Sequence, residues 1–157
     1  MDIEILVIGR TSEGYLRQGI EQYLKRLVHY APCRLVELPD ARRGKSMPEA
    51  EQKQREGKLI LDYVQPSDYV VLLDERGRER TSTEFAAWLD KKFATGRKRL
   101  ILAIGGPYGF SQAVYDRTDE MLSLSRMTFN HEMVRLFLAE QIYRAFTILR
   151  GQPYHHA

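Results

Sequence analysis

The sequence predicts a single α/β domain over residues 1–157, built on a mostly parallel sheet with flanking helices. Three observations predict it. Short apolar runs such as Ile3–Ile8, Tyr69–Leu73 and Leu100–Ile104 are each closed by glycine or a polar turn, the pattern of strands buried on both faces. Amphipathic stretches at helical spacing separate them, so strands alternate with helices rather than with hairpins. The run Leu100-Ile-Leu-Ala-Ile-Gly-Gly-Pro-Tyr-Gly109 ends in three glycines and a proline, a hard turn that leaves bare backbone at the carboxyl end of a strand. Open α/β sheets bind small molecules at such ends. Taken alone, a glycine cluster also fits a tight turn with no ligand.

The elements follow in order. Ile3 to Gly9 reads as the first buried strand. Tyr15, Leu16, Ile20, Tyr23, Leu24, Leu27 and Val28 recur at helical spacing, giving an amphipathic helix that ends before Pro32. Cys33 to Leu38 is a second strand. The basic, glycine-containing segment between Pro39 and Pro48 reads as an exposed loop. Ser46 with Glu49 is a capping-box signal for a helix to about Val64, whose polar first half reads as a solvated face.

Tyr69 to Asp74 is a third strand, closed by a polar turn, Glu75-Arg-Gly-Arg78. Thr81 and Glu84 form a second capping box. Phe85, Trp88, Leu89 and Phe93 line one face of the helix that follows, and Gly96 ends it. Beyond the strand at Leu100, Ser111 is placed to cap a short helix to about Thr118, and Leu122 to Met127 reads as a fifth strand. Asn130 caps the last helix, His131 to about Leu149, and Gly151 begins a tail.

Composition narrows the function classes. With 157 residues, 43% of them hydrophobic and 29% charged, the chain can bury a proper core. No apolar run reaches membrane-spanning length and the start lacks the pattern of a signal peptide, so the expected location is cytoplasmic, with no membrane partner. The single cysteine, Cys33, excludes an internal disulfide framework and is expected to be a buried thiol. No Cys/His cluster has zinc spacing, and no metal is expected. The net charge of +3 leans modestly towards an anionic partner.

Leu73-Asp74, Gly105-Gly106 and Leu124 to Phe129 all lie at or just after strand ends, so they are expected to converge on one pocket. The chain carries neither Gly-x-Gly-x-x-Gly nor Gly-x-x-x-x-Gly-Lys-Ser/Thr, and no Ser or Cys nucleophile has a local signature. The walls offered are backbone and apolar side chains. They suit an uncharged or zwitterionic ligand.

The last helix is apolar around nearly its whole circumference, from Met133 to Leu149. Such a helix must be covered on all sides, by its own sheet on one and most simply by a second copy of the chain on the other. Its polar residues form two pairs at helical spacing, His131 with Arg135 and Glu140 with Arg144. The second pair reads as a salt link. The first lies beside the Leu124–Phe129 loop, where a site role and a purely structural one are equally open.

Gly105-Gly-Pro-Tyr-Gly109, Leu124-Ser125, Phe129-Asn-His131, Arg135, Glu140-Gln141, Tyr143-Arg-Ala145 and Pro153-Tyr-His155 together resemble the ribosomal RNA large subunit methyltransferase H family of the SPOUT class. The resemblance covers essentially the full length, including the Arg42-Arg43-Gly44-Lys45 loop. It implies a homodimeric enzyme that takes a methyl group from S-adenosyl-L-methionine and places it on N3 of a pseudouridine in helix 69 of 23S ribosomal RNA, in assembled ribosomes. It also implies a carboxy-terminal trefoil knot, which the general rule against knotting would not suggest.

Carried over by position, the resemblance assigns cofactor contacts to Leu73, Gly105, Leu124, Ser125, Arg126, Met127, Thr128 and Phe129. These fall at the three strand ends already reached. For proton transfer, the candidates are His131, with Arg135 beside it, and then Tyr154 and His155 of the tail. Arg42, Arg43, Lys45, Arg135 and Arg144 are candidates for holding the RNA backbone, a role that makes binding salt-dependent. His156 stands where the family's tail carries lysine or arginine, which removes a fixed charge there at neutral pH. Two other functions remain open: a transfer RNA methyltransferase of the same fold, and a non-catalytic ribosome-binding protein.

Overall fold

The computed structural model describes residues 1–42 and 44–156. Five strands form one sheet in the order β2-β1-β4-β3-β5, and all four neighbouring pairs are parallel. The strands are β1 (Asp2–Ile8), β2 (Cys33–Leu38), β3 (Tyr69–Glu79), β4 (Arg99–Ile104) and β5 (Glu120–Ser123). The helices are α1 (Gly14–Leu27), α2 (Glu49–Tyr63), α3 (Ser82–Phe93), α4 (Gln112–Arg117) and α5 (Met133–Leu149). Leu100, Ile101, Leu102 and Ala103 in β4 are all 0% exposed, as an apolar run covered on both faces requires.

One core layer joins α1, α3 and α5 to one face of the sheet, and a second joins α2 and α4 to the other. The crossovers share one hand. β1 to β2 and β3 to β4 step one way with their helices on the first face, while β2 to β3 and β4 to β5 step back with theirs on the second. That consistency is what twisted strands feeding right-handed helices produce.

Several boundaries differ from the sequence expectation. The Glu75–Arg78 segment does not end β3; residues 74–77 form a bulge within it and Arg78 resumes the pairing. Leu73 and Arg78 both pair with Leu122, and the residues between them swing out of the ladder. Gly77 makes this possible, because a β-carbon there would lie 2.6 Å from the Leu122 backbone nitrogen. β5 ends at Ser123 instead of Met127. Ser123 Oγ donates to the Ser125 carbonyl at 3.0 Å and Ser125 Oγ accepts from Met127 N–H at 2.9 Å, which bends the chain out of the sheet.

The capping signals divide. Thr81 and Glu84 make the full reciprocal box. Ser46 caps nothing, because α2 starts after Pro48, and Ser111 occupies the N-cap of α4 without a side-chain bond. Asn130 Oδ1 accepts from the Glu132 and Met133 N–H groups at 2.9 and 3.3 Å, closing a turn that precedes α5. The polar half of α2 is not wholly solvated either, since Gln52 and Glu56 are buried. Cys33 is half-buried, with burial pushing its thiol up to about 12.

α5 is covered on more sides than its own sheet alone would give. Leu138, Ala139, Ile142 and Ala145 are fully buried between α1, α3 and the sheet, while Met133 and Phe137 near its start remain exposed, as does Tyr15 at the start of α1. Among the described residues, no helix is long and apolar enough to cross a membrane, and no group of three His, Cys, Asp or Glu is placed to hold a metal.

Candidate functional site

The strand order places β4, β3 and β5 side by side, and the register levels their carboxyl ends. Leu73 pairs with Ile104 on one side and Leu122 on the other. The loops leaving these strands therefore open into one cleft of about 780 Å³. The convergence expected from the sequence is present.

One wall is the glycine loop. Gly109 N–H donates to the Gly106 carbonyl at 3.1 Å, Gly109 adopts a φ of 81°, and a β-carbon on Gly105 would press to 3.2 Å from the Gly109 backbone. Only residues without side chains fold this tightly, and they turn bare peptide groups towards the cleft. The opposite wall is Leu122 to Ser125 and Met127 to His131, with Val134 behind. The bulge of β3 adds Asp74, Glu75 and Arg76.

Most of the expected cofactor contacts meet here. Leu73, Gly105, Leu124, Ser125, Met127, Thr128 and Phe129 line the cleft. Arg126 points away, exposed, to Glu79 at 3.0 Å. Of the residues named for proton transfer, His131 alone lines the cleft. Burial, then the Arg135 charge, holds its imidazole below the usual 6.5, with Glu132 opposing and Arg42 adding to the effect. It is mainly neutral at neutral pH and has a free lone pair to offer.

Arg135 is 2% exposed and turned from the cleft into the molecule. Its Nη2 donates to the Ile8 carbonyl at 2.8 Å, and Nη1 donates to the Gly9 carbonyl at 3.1 Å and Thr11 Oγ1 at 2.9 Å. Glu37 lies 3.6 Å away. The guanidinium thus ties the first turns of α5 to the end of β1. Glu132 adds a second tie by accepting from Ser12 N–H and Oγ at 2.8 and 2.7 Å.

The tail residues lie elsewhere. Tyr154 packs on Tyr143 with ring centroids 4.8 Å apart and donates to Glu140 Oε1 at 2.9 Å. Arg144 sits 2.6 Å from Glu140 and 3.0 Å from His155 Nδ1, so the salt link expected for this pair forms. Arg42 and Lys45 are exposed in a turn closed by Lys45 N–H donating to the Arg42 carbonyl at 2.9 Å, and Arg42 is 3.5 Å from Asp40. Arg43 lies outside the described residues.

Sequence reasoning missed Tyr115 and Arg76. The Tyr115 hydroxyl donates to Asp74, and the Arg76 guanidinium lies 4.6 Å over its ring. Against the pull of burial, those contacts hold the Asp74 carboxyl below the usual range. The available signal was Asp74 itself, a carboxylate at a strand end beside a glycine-bearing segment.

Comparison with known proteins places this geometry. Residues 1–155 match the family described as "Predicted SPOUT methyltransferase". The chain is 53% identical over 156 residues to the ribosomal RNA large subunit methyltransferase H of Parabacteroides distasonis, covering 99% of each chain. Its similarity to the proteins of that name from Porphyromonas gingivalis and Bacteroides fragilis is 51% and 49%, again over 99% of each chain. Among solved structures, it resembles the tRNA (m1G37) methyltransferase of Aquifex aeolicus with a TM-score of 0.57 and 14% identity, over 100% of this chain and 76% of the other. That likeness concerns the fold alone.

Proposed function

The chain belongs to the SPOUT methyltransferase family, and from this we propose that it transfers the methyl group of S-adenosylmethionine to N3 of a pseudouridine in helix 69 of 23S ribosomal RNA. The acceptor is the assembled ribosome, the location is the cytoplasm, and the working form is a homodimer. The threaded carboxy-terminal knot belongs to the same proposal. The observation that carries it is the cleft at three level strand ends, walled by bare glycine backbone and apolar side chains.

That lining fits the cofactor. An adenosine moiety needs apolar contact and backbone hydrogen bonds, which Leu73, Ile104, Gly105 and the Leu124–Phe129 segment offer. A zwitterionic aminoacyl end needs one charge of each sign, and Asp74 and Arg76 stand at the same cleft. When bound, S-adenosylmethionine supplies a methyl carbon already activated by a positive sulfur, so no covalent enzyme intermediate is required. The protein's part is alignment: the closed glycine loop and the bent 124–129 segment hold one partner while the other is brought in line.

His131 is the cleft residue suited to accept the N3 proton, directly or through water. Arg42 and Lys45 stand exposed in their turn. Arg42, Arg43 and Lys45 hold RNA phosphates there. The exposed Tyr15, Met133 and Phe137 are the apolar surface that a second copy covers.

The test is transfer of labelled methyl from S-adenosylmethionine to assembled ribosomes, isolated large subunits and bulk transfer RNA, all from cells lacking this protein. Label on ribosomes that maps to one pseudouridine is the expected result. Label on transfer RNA moves the function to that acceptor and keeps the cofactor. Cofactor binding with no label on any of the three means another acceptor, and absence of cofactor binding favours a ribosome-binding protein without chemistry.

A further inference from the structure

A groove of about 510 Å³ lies at the carboxyl ends of α1 and α5, where Lys25, Arg26, His29 and Arg150 face it beside the rings of Tyr30 and Tyr143. No carboxylate is in its lining. The two helices run parallel, since Ser12 meets Glu132 at one end and Tyr30 stacks on Phe146 near the other. The cleft sits at the starting end, as does the apolar face of Tyr15, Met133 and Phe137. From Val134 in the cleft to Arg150 in the groove, α5 runs about 24 Å, and the two sites share no residue.

The charge of this groove is not met from within the molecule. Lys25, Arg26 and Arg150 are exposed, and among the described residues none has a carboxylate within salt-bridge reach. Cations near a helix end ordinarily offset its dipole, and two such ends carry roughly −0.5 each. The three cations exceed that by roughly two positive charges. The guanidinium groups are also held in place: Arg26 lies 5.4 Å from the Tyr23 ring and 5.5 Å from the Tyr143 ring, and Arg150 lies 4.6 Å over Tyr30. A cation already placed on a ring loses less freedom when a ligand arrives.

We infer that this groove holds the phosphate backbone of the RNA, as an anchor one helix length away from the cleft. The inference rests on the rRNA methyltransferase reading and adds a second contact surface to it. A surplus of positive charge, planar guanidinium forks that take phosphate oxygens in pairs, and a lining free of carboxylates all suit a polyanion. A second copy of the chain does not suit it, because a two-fold contact centred here would set the same cations against each other.

An RNA acceptor extends well past the base that reacts, so a contact this far from the cleft reaches the same molecule. Such a contact is equally strong before and during methyl transfer. It lowers KM and leaves kcat alone. Its strength falls as salt rises, because each phosphate neutralised releases counterions.

The test is binding of the intact protein to assembled ribosomes across a range of salt. Lys25→Gln combined with Arg150→Gln is expected to reduce the slope of log affinity against log salt by about 2, one for each lost phosphate contact. KM for methyl transfer should rise while kcat, cofactor affinity and melting temperature are retained. Arg26 stays, because it also packs on Tyr23 and Tyr143. Lys25→Arg combined with Arg150→Lys keeps both charges and should keep the slope. An unchanged slope in the glutamine variant overturns the inference, as does an equal loss in the charge-keeping one. Lys25→Gln alone leaves the Arg150–Tyr30 contact intact and is expected to remove about 1 from the slope; no change there overturns it too. A parent protein that does not bind ribosomes sinks the rRNA reading alone, and single-stranded oligouridylate then decides the groove. Salt-sensitive binding that the glutamine variant loses supports it. No binding, or binding only to phosphatidylglycerol vesicles, overturns it.

Discussion

A β-carbon on Gly106 would come within 2.7 Å of the Glu56 carboxylate, because α2 presses that buried side chain against the back of the glycine loop. Gly106→Ala must therefore push either the carboxylate or the loop. The expected result is weaker S-adenosylmethionine binding and a lower melting temperature. Combining it with Glu56→Ala is expected to restore part of both, with a coupling energy of about 1 kcal/mol. Strict additivity in the double-mutant cycle would show that the two residues do not press on each other.

Glu56 is 4% exposed and lacks a partner at Oε1. Burial pushes its carboxyl up; Gln52 and Arg42 oppose that, and Asp40 adds to it. The folded state therefore binds the proton more tightly than the unfolded chain does. Its stabilising contribution is complete below the unfolded value of 4.5 and is lost as pH rises through the folded one. Glu56→Gln should be more stable than the parent at pH 8 and equal to it near pH 4, read from denaturant midpoints. Equal midpoints at pH 8 would count against a strained carboxylate.

Arg135 separates a structural from a catalytic role by melting temperature. Arg135→Met leaves the Ile8 and Gly9 carbonyls without their donor and Glu37 without its neighbour. The expected cost is about 3 kcal/mol, the scale of breaking one side of a buried charged network. In a chain of this size that lowers the melting temperature by about 6–12 °C. A variant that melts like the parent yet transfers no methyl group would return Arg135 to the reaction.

His131 predicts a pH profile. With its imidazole held below 6.5, the single-turnover rate should climb on the acid side and be flat across neutral pH with respect to this residue. His131→Asn should lower the plateau and abolish the acid limb. Persistence of that limb in the variant would assign the titration to another group.

The exposed turn at Arg42 and Lys45 predicts salt dependence. Alanine at both positions should weaken ribosome binding and reduce the slope of log affinity against log salt by about 1 for each lost phosphate contact. Cofactor affinity, measured by calorimetry, should not move. An unchanged slope would take the loop off the RNA surface.

The parts of this molecule that were readable in advance are those whose causes are local. β2 spans Cys33–Leu38 as the apolar pattern indicates, and the Thr81–Glu84 box closes within one turn of helix. The bulge at residues 74–77 has its cause at Leu122, far along the chain, and only the close approach to Gly77 reveals it. The same holds for the inward turn of Arg135, whose partners are carbonyls at the other end of the sequence. In the site, spacing located the strand ends and the loops between them. It could not say that Arg126 leaves while its neighbours stay, because a bend made by Ser123 and Ser125 sets that orientation.

The sheet has a kinetic consequence. None of its ladders is a hairpin: every neighbouring strand pair is parallel, and β1 must find β4 across most of the chain. Such wiring makes for slow, cooperative folding, with the cost of closing long loops met before the contacts that reward it. The cleft needs β3, β4, β5 and the start of α5, and α5 is tied back to Ile8. A nascent chain thus has no ligand site until its last helix has been made and docked. Ligand then acts only on finished molecules, drawing the population towards them by mass action.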